Sequence, residues 1–158
     1  MTIRLLADIP EAIPLLAGWF YNEWHKFDGR SLASIKAQLA ENHSRDSIPI
    51  TFLAQSGSKL LGTASIDLYD LPPFGNLSPW LASVYVLPTA RGKGIGTAMV
   101  RHAQQFATSR GINPLYLWTP GSTRLYENCG WKVSQRTTYS SRPVTLMHFT
   151  QSKNCTNP

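Results

Sequence analysis

Glycines and cations are concentrated in one short segment of the chain. Residues 91–97 read Arg-Gly-Lys-Gly-Ile-Gly-Thr and follow an apolar run that ends at Val86. Glycine lets a backbone approach a ligand without a Cβ clash. A helix that begins here would present unpaired N–H groups carrying partial positive charge. This combination, with two cations beside it, indicates a site for phosphate oxygens.

Two common phosphate-binding motifs do not fit this segment. A P-loop needs a glycine, four residues and then Gly-Lys-Ser/Thr, and a dinucleotide fingerprint needs a glycine where Thr97 stands. The pattern that remains is Arg91-x-x-Gly94-x-Gly96 after a V-x-V-x-P strand end. It resembles the acyl-CoA signature of the GCN5-related N-acetyltransferase (GNAT) superfamily, which is written Q/R-x-x-G-x-G/A.

A second segment strengthens the resemblance. Residues 125–131 read Leu-Tyr-Glu-Asn-Cys-Gly-Trp, similar to the LYExxGF/W segment that closes the cofactor site in that superfamily. The interval from Gly96 to Tyr126 leaves room for one helix and one buried strand. The resemblance extends from about Ile3 to Phe149, and it implies a fold and acetyl-CoA as the acyl donor. It does not imply an acceptor.

The resemblance also implies roles for individual residues. In the superfamily an amine attacks the thioester directly, the last strand residues before the turn bind the pantetheine amides, and the turn holds the pyrophosphate. The cofactor-binding residues so implied are Val84, Tyr85, Val86, Arg91, Gly92, Lys93, Gly94, Ile95, Gly96 and Thr97. Tyr126 is the implied catalytic residue, a general acid that protonates the departing thiolate. A tight turn and a core tyrosine could serve packing alone, but three glycines and two cations exceed what packing needs.

The base that would deprotonate the amine is left open by the sequence. Relatives often carry a glutamate on the strand before the turn, and the strand 79–86 has no carboxylate. The candidates are Asp67, Asp70, Glu23, His25 and a water relayed by Ser83. Relatives also often carry an asparagine where Thr119 stands, so cofactor contacts there would fall to Ser122 or Arg124. The acceptor pocket is expected at the first-helix end (Tyr21, Glu23, Trp24, His25), the Pro72-to-Trp80 loop and the Tyr139-to-Pro143 turn.

Composition and charge narrow the class of protein. A chain of 158 residues with 42% apolar and 15% charged residues predicts one folded domain with its own core. The net charge of +6 is divided into −2 for residues 1–70 and +8 for residues 71–158. A polyanionic cofactor explains the basic half, and we expect no nucleic-acid partner, because no basic helix with interleaved aromatics appears. The acidic half favours a cationic acceptor such as a peptide amino terminus, a polyamine or an aminoglycoside.

The chain carries no signal for export or for a membrane. The apolar stretch Ile13–Phe20 contains a proline and a glycine and is too short to span a bilayer, so we expect a cytoplasmic protein. Cys129 and Cys155 lack metal-ligand spacing, and no metal is expected. Residues 151–158 read as a polar, disordered tail. The oligomeric state stays open, a homodimer included.

Periodicity and turn residues predict an α/β fold in the order β-α-α-β-β-β-α-β-α-β-β. This order matches the fold that the GNAT resemblance implies, a mixed central sheet of about seven strands flanked by helices in one domain, residues 1–150. The predicted strands are Thr2–Leu6, Ile50–Gln55, Leu60–Tyr69, Trp80–Val86, Leu115–Thr119, Trp131–Thr138 and Val144–Phe149. The predicted helices are Pro10–Lys26, Ser31–Ala40, Ile95–Arg110 and Thr123–Cys129.

The function expected from these features is acetyl transfer from acetyl-CoA to a primary amine, either a small molecule or a peptide N-terminus. The alternative is a non-catalytic acyl-CoA-binding or regulatory module. The missing strand carboxylate and the altered Thr119 region favour the module, whereas the retained Tyr126 favours the enzyme.

Overall fold

The computed structural model describes residues 1–26, 28–42, 44–121 and 123–152. Ser122, Cys155 and most of the expected polar tail lie outside the described residues. The strands are β1 (Thr2–Leu5), β2 (Ile50–Ser56), β3 (Lys59–Asp67), β4 (Trp80–Val86), β5 (Leu115–Thr119), β6 (Lys132–Tyr139) and β7 (Arg142–Phe149). The helices are α1 (Ile13–Phe20), α2 (Leu32–Glu41), α3 (Ile95–Ser109) and α4 (Arg124–Glu127).

The seven strands form one sheet in the order β1-β2-β3-β4-β5-β7-β6. Neighbouring strands are antiparallel except β4 and β5, which are parallel. A parallel pair needs a crossover, and α3 supplies it, since it lies between β4 and β5 in the chain. The expected α/β fold with a mixed sheet of seven strands is confirmed.

Helices cover both faces of this sheet. Leu53 packs with α1 and α2, whereas its neighbour Phe52 packs with α3, because successive strand residues point to opposite faces. On α3, Ile95, Met99 and Ala103 are buried and Phe106 is partly buried.

The first predicted helix, Pro10–Lys26, is divided into three parts. A 3-10 turn covers Pro10–Ala12, α1 follows with Pro14 in its first turn, and a π-helical turn covers Tyr21–His25. Proline suits the first turn of a helix, where its missing N–H is not needed, and it favours a new start there. The π turn keeps the chain helical but changes the direction in which the residues that follow point. This change affects the residues that line the site described below.

Other element ends match the prediction or differ from it by one or two residues. The turn between β6 and β7 is shorter than expected, because Ser140 and Ser141 alone make it, with φ of 49° and 61°. Tyr139 and Pro143 therefore belong to the strands. Among the described residues, no helix has the length and apolar character needed to cross a membrane.

Candidate active site

The centre of the sheet opens where β4 and β5 separate. Their register contains one pair, Trp80 with Tyr116, beside a hydrogen bond from the Tyr116 N–H to the Pro79 carbonyl at 3.0 Å. Beyond Trp80, β4 continues to Val86 without a paired strand on the side that faces β5. A strand edge of this kind offers N–H and C=O groups to an extended ligand, as an added strand would.

Register shows which backbone groups face this open edge. The Leu87 N–H donates to the Leu61 carbonyl at 2.9 Å, so Leu87 faces β3. Because backbone groups alternate along a strand, those of Val86 point to the open edge and those of Tyr85, which is paired with Thr63, point to β3. Val86 is thus placed to bind a ligand through its backbone, whereas Tyr85 contributes its ring.

A bulge distorts β4 next to this edge. Thr63 and Ser65 of β3 pair with Tyr85 and Ala82, so β4 holds one extra residue between them. Ser83 in the bulge has φ of 53°, a conformation that costs a non-glycine residue roughly 1–3 kcal/mol. Bulges re-aim backbone and side chains, and they are common beside functional sites.

The glycine turn joins β4 to α3 as the sequence indicated. Gly92 and Gly94 have φ of 75° and 77°, and a Cβ added at either would meet no atom within 4 Å. Their backbone conformation requires glycine, and their open side is free for a ligand. The first intrahelical bond runs from the Ala98 N–H to the Gly94 carbonyl, so the N–H groups of residues 95–97 have no acceptor within the helix. Unpaired N–H groups at a helix start bind anions.

The two cations of the turn bind its own backbone. Arg91 donates through Nε to the Val86 carbonyl at 2.9 Å, and its guanidinium lies 5.8 Å from the centre of the Tyr85 ring. Lys93 donates through Nζ to the Thr89 carbonyl at 3.4 Å. Both residues are exposed, so their charges add to the field at the helix start.

Tyr126 lies across the same opening, on the short helix α4. Its ring packs edge-on against Trp131 with 6.3 Å between ring centres, and its carbonyl accepts hydrogen bonds from the N–H groups of Cys129 and Trp131. Burial, with a smaller contribution from Cys129, raises the pKa of Tyr126 to about 12. The phenol is therefore protonated at every physiological pH, and it is a donor rather than a base.

One groove of about 410 Å³ unites these features, and we call it the β4 groove. Its volume is within the range of small-molecule sites, about 300–1,000 Å³. Val84–Val86, Arg91, Gly92, Gly94–Thr97 and Tyr126 line it, together with Glu23, Ala90 and Leu125. Every cofactor residue implied by the resemblance except Lys93 is in this lining.

A second cavity of about 100 Å³ lies on the face of the sheet covered by α1 and α2, and we call it the β3 cavity. Three candidates for the base border it, Asp67, Asp70 and His25, together with Ser83, the expected relay of a water. Glu23 lines the β4 groove instead. Ser83, which lines the β3 cavity, and Val84, which lines the β4 groove, are adjacent in the bulge of β4. Neither the Pro72-to-Trp80 loop nor the Tyr139-to-Pro143 turn lines this cavity.

The two aspartates of the β3 cavity have perturbed pKa values. Burial, and then repulsion from Asp70, raises the pKa of Asp67 from 3.8 to about 7. Burial likewise raises the pKa of Asp70 to about 6, partly offset by the indole N–H of Trp118. Asn42 donates to Asp67 at 3.3 Å. An ammonium group bound beside these carboxyls would favour their ionised form and lower both pKa values.

Three residues that sequence reasoning did not select support the site. Gly62 allows close approach of the β4 backbone, since a Cβ there would lie 2.6 Å from the Tyr85 carbonyl oxygen. Gln104 donates to the Cys129 carbonyl at 2.9 Å and so ties α3 to the segment that carries Tyr126. Asp28 accepts a hydrogen bond from His25. Only Gly62 had a usable signal, because an isolated glycine within a strand indicates close backbone contact.

Comparison with known proteins agrees with this geometry. The rat protein N-acetyltransferase 8 is 26% identical over 153 residues, covering 83% of this chain and 69% of its own length. Among solved structures, aminoglycoside 6'-acetyltransferase type Ii superposes with a TM-score of 0.73 at 21% identity, covering 95% of this chain and 97% of its own. Ribosomal-protein-alanine N-acetyltransferase from Brucella melitensis gives 0.71 at 23%, with coverage of 96% and 100%.

The family model described as the acetyltransferase (GNAT) family matches residues 11–131, which include β4, the glycine turn and Tyr126. An aminoglycoside 6'-N-acetyltransferase complexed with coenzyme A, similar in fold at 19% identity with a TM-score of 0.72, covers 95% of this chain and 97% of its own. Acetyl-CoA, the donor cosubstrate expected from the sequence, is the donor that agrees with this family. The chain therefore belongs to the GNAT family of acetyltransferases.

Proposed function

We propose that this protein transfers an acetyl group from acetyl-CoA directly to a primary amine, either a small molecule or a peptide N-terminus. The observation that carries the proposal is the continuity of the β4 groove. One opening joins an unpaired strand edge, a glycine turn with free N–H groups and a protonated tyrosine.

The residues of the β4 groove suit a long, anionic thioester. The backbone groups of Val84 and Val86 would bind the amides of the pantetheine arm, and the ring of Tyr85 supports the arm from the side. The N–H groups of residues 92–97 would bind the pyrophosphate, and Arg91 and Lys93 add positive charge. Acetyl-CoA, when bound, supplies an acetyl group activated as a thioester. The Val84 N–H would polarise the carbonyl of that thioester.

Tyr126 would stabilise the departing thiolate. A thiolate whose thiol has a pKa of about 8.5 is a weaker base than a phenolate whose phenol has a pKa of about 12. The phenol therefore acts first as a hydrogen-bond donor to sulfur. Tyr126 gives its proton to the sulfur only as it receives a second proton from the attacking nitrogen. This relay keeps the tyrosine neutral throughout the reaction.

The acceptor would enter from the β3 cavity, whose lining residue Ser83 is adjacent in β4 to Val84 of the groove. Asp67 and Asp70 favour a cationic group, and an amine arrives at neutral pH as an ammonium ion. The names of the similar proteins point the same way, since one names an aminoglycoside and another a ribosomal-protein alanine, and both can present an amine. The exposed aromatic side chain of Tyr69 borders the cavity and would contact the body of the acceptor.

The proposal is tested by mass spectrometry of amines incubated with the protein and acetyl-CoA. Peptides, polyamines and aminoglycosides form the panel, and the Gly94→Glu variant is the matched control because it places a charge in the turn. We expect N-acetylated product with the wild-type protein and none with the variant. Acetyl-CoA binding without product from any amine would favour the non-catalytic module instead.

A further inference from the structure

A histidine and an aspartate form a hydrogen-bonded pair beside the β3 cavity. His25 Nδ1 lies 2.7 Å from Asp28 Oδ2, and the two side chains are 22% and 47% exposed. The other carboxylate oxygen of Asp28 accepts the Arg30 N–H at 3.0 Å. The hydrogen bond from His25, the largest cause, lowers the pKa of Asp28, so this carboxyl is ionised at neutral pH.

This pairing fixes the tautomer of the histidine. An ionised carboxylate only accepts hydrogen bonds, so the proton of the neutral ring resides on Nδ1. The lone pair is then on Nε2, for which the described residues provide no hydrogen-bond partner. A carboxylate that orients an imidazole in this way is the arrangement found in general bases.

The π turn carries residues of both the groove and the cavity. Within the turn Tyr21–His25, Glu23 lines the β4 groove and His25 lines the β3 cavity. Trp24 between them packs edge-on against Tyr85 of β4, with 6.1 Å between ring centres. The turn is thereby anchored to the strand that carries Val84, next to the expected acetyl position.

We propose that His25, oriented by Asp28, is the base that deprotonates the acceptor amine. This inference rests on the proposed function. His25 Nε2 takes one proton from the ammonium ion and leaves a neutral amine. The N–C bond forms as the C–S bond breaks, and the proton remaining on nitrogen reaches sulfur through Tyr126. The imidazolium then returns its proton to water, so one proton is released for each acetyl group transferred.

The charged groups around His25 suit this role. The cavity that His25 lines also contains Asp67 at the end of β3, Asp70 in the loop that follows and Arg30 in the segment before α2. Glu23 lies on the same turn as His25. Asp67 is the competing base, but it is partly buried and already accepts a hydrogen bond from Asn42. The two carboxyls are better placed to hold the ammonium ion than to carry its proton away.

The test compares His25→Gln with His148→Gln, a control histidine that lines neither cavity and is hydrogen-bonded to Ser134. For His25→Gln we expect kcat to fall about 10²–10⁴-fold, with the Kd for acetyl-CoA unchanged. The acid limb of the kcat/KM profile should disappear in this variant and persist in Asp67→Asn. Added imidazole should restore part of the activity of His25→Ala and none of that of Tyr126→Phe.

A readout independent of turnover accompanies the kinetics. Nitrogen NMR of the imidazole should show the proton on Nδ1 in the wild-type protein and a mixed or altered tautomer in Asp28→Asn. A His25→Gln variant with wild-type kcat and pH profile overturns the assignment. So does a loss of activity with an unchanged pH profile and no rescue by imidazole. If the wild-type protein acetylates no amine, the proposed function itself fails, which the panel described above detects separately.

Discussion

Replacement of Gly62 by alanine should displace the strand that is expected to bind the cofactor. Gly62 lies in the middle of β3, opposite Val86 of β4. An added Cβ would lie 2.6 Å from the Tyr85 carbonyl oxygen and 3.4 Å from the Val86 Cα, whereas real Cβ contacts essentially never fall below 3.0 Å. The nearest obstacle is backbone, so a side-chain rotation cannot relieve it. The two strands must separate by at least about 0.4 Å at this point.

The expected effect has two measurable parts. Overpacking of this kind costs about 1–3 kcal/mol, and each kcal/mol lowers Tm by roughly 2–4 °C for a chain of this size. Displacement of Val86 weakens its hydrogen bonds to the pantetheine arm by about 1 kcal/mol, which corresponds to a roughly fivefold rise in the Kd for acetyl-CoA. Thermal unfolding and calorimetric titration with acetyl-CoA measure the two parts separately.

Gly18→Ala is the matched control for this substitution. Gly18 lies within α1, and a Cβ there would meet no atom within 4 Å. Alanine is favoured over glycine in a helix by roughly 0.5–1 kcal/mol, so this variant should be slightly more stable and bind acetyl-CoA normally. If Gly62→Ala matches Gly18→Ala in both Tm and acetyl-CoA affinity, the reasoning about the close β3–β4 contact is refuted.

Three further substitutions test other parts of the site. Gly94→Glu should abolish acetyl-CoA binding in calorimetry. Gly94→Ala should lower stability by only about 1 kcal/mol, because residue 94 has a φ of 77°. If both variants bind acetyl-CoA equally well, the turn is not part of the cofactor site. Tyr126→Phe should lower kcat about 10²-fold with little change in acetyl-CoA affinity. In the wild-type protein, kcat should show no loss from ionisation of Tyr126 below about pH 11, because the pKa of this tyrosine is raised to about 12. Asp67→Asn should stabilise the protein above pH 7 by up to about 4 kcal/mol. The pKa of the Asp67 carboxyl rises from 3.8 to about 7 on folding, so the folded state binds more protons than the unfolded state between these two pH values. The stability of the wild-type protein therefore falls as the pH rises from 3.8 to about 7, and the Asn variant lacks this loss. Urea unfolding at pH 5 and pH 8 measures this difference, and identical pH dependence in both proteins would contradict it.

Local rules were sufficient for the turn and for most of the fold. Two features can be read from short stretches of the sequence. One is glycine at positions with positive φ, such as Gly92 and Gly94, and the other is the apolar periodicity of α3. Most residues of the β4 groove follow from the same segment, because a strand, a turn and a helix start must lie side by side. The Q/R-x-x-G-x-G/A pattern therefore predicted the local structure, and its use in cofactor binding stays a prediction.

The second side of the site depends on contacts distant in sequence. The β3 cavity joins His25 from the end of the first helical segment to Asp67 and Ser83, which meet only through the sheet register and helix packing. The π turn at Tyr21–His25 is not encoded by any single residue, so a continuous α-helix was the expectation there. The pairing of His25 with Asp28 and the buried state of Asp67 emerge only when these elements pack.

Release of CoA thiol from acetyl-CoA in the presence and absence of amines tests the central claim most directly. The account predicts release that requires an amine, depends on the concentrations of both substrates, and is largest with cationic acceptors that fit the β3 cavity. The contradicting result is a protein that binds acetyl-CoA in calorimetry but releases no more CoA thiol with any amine than without one. That result would identify a binding module rather than an enzyme.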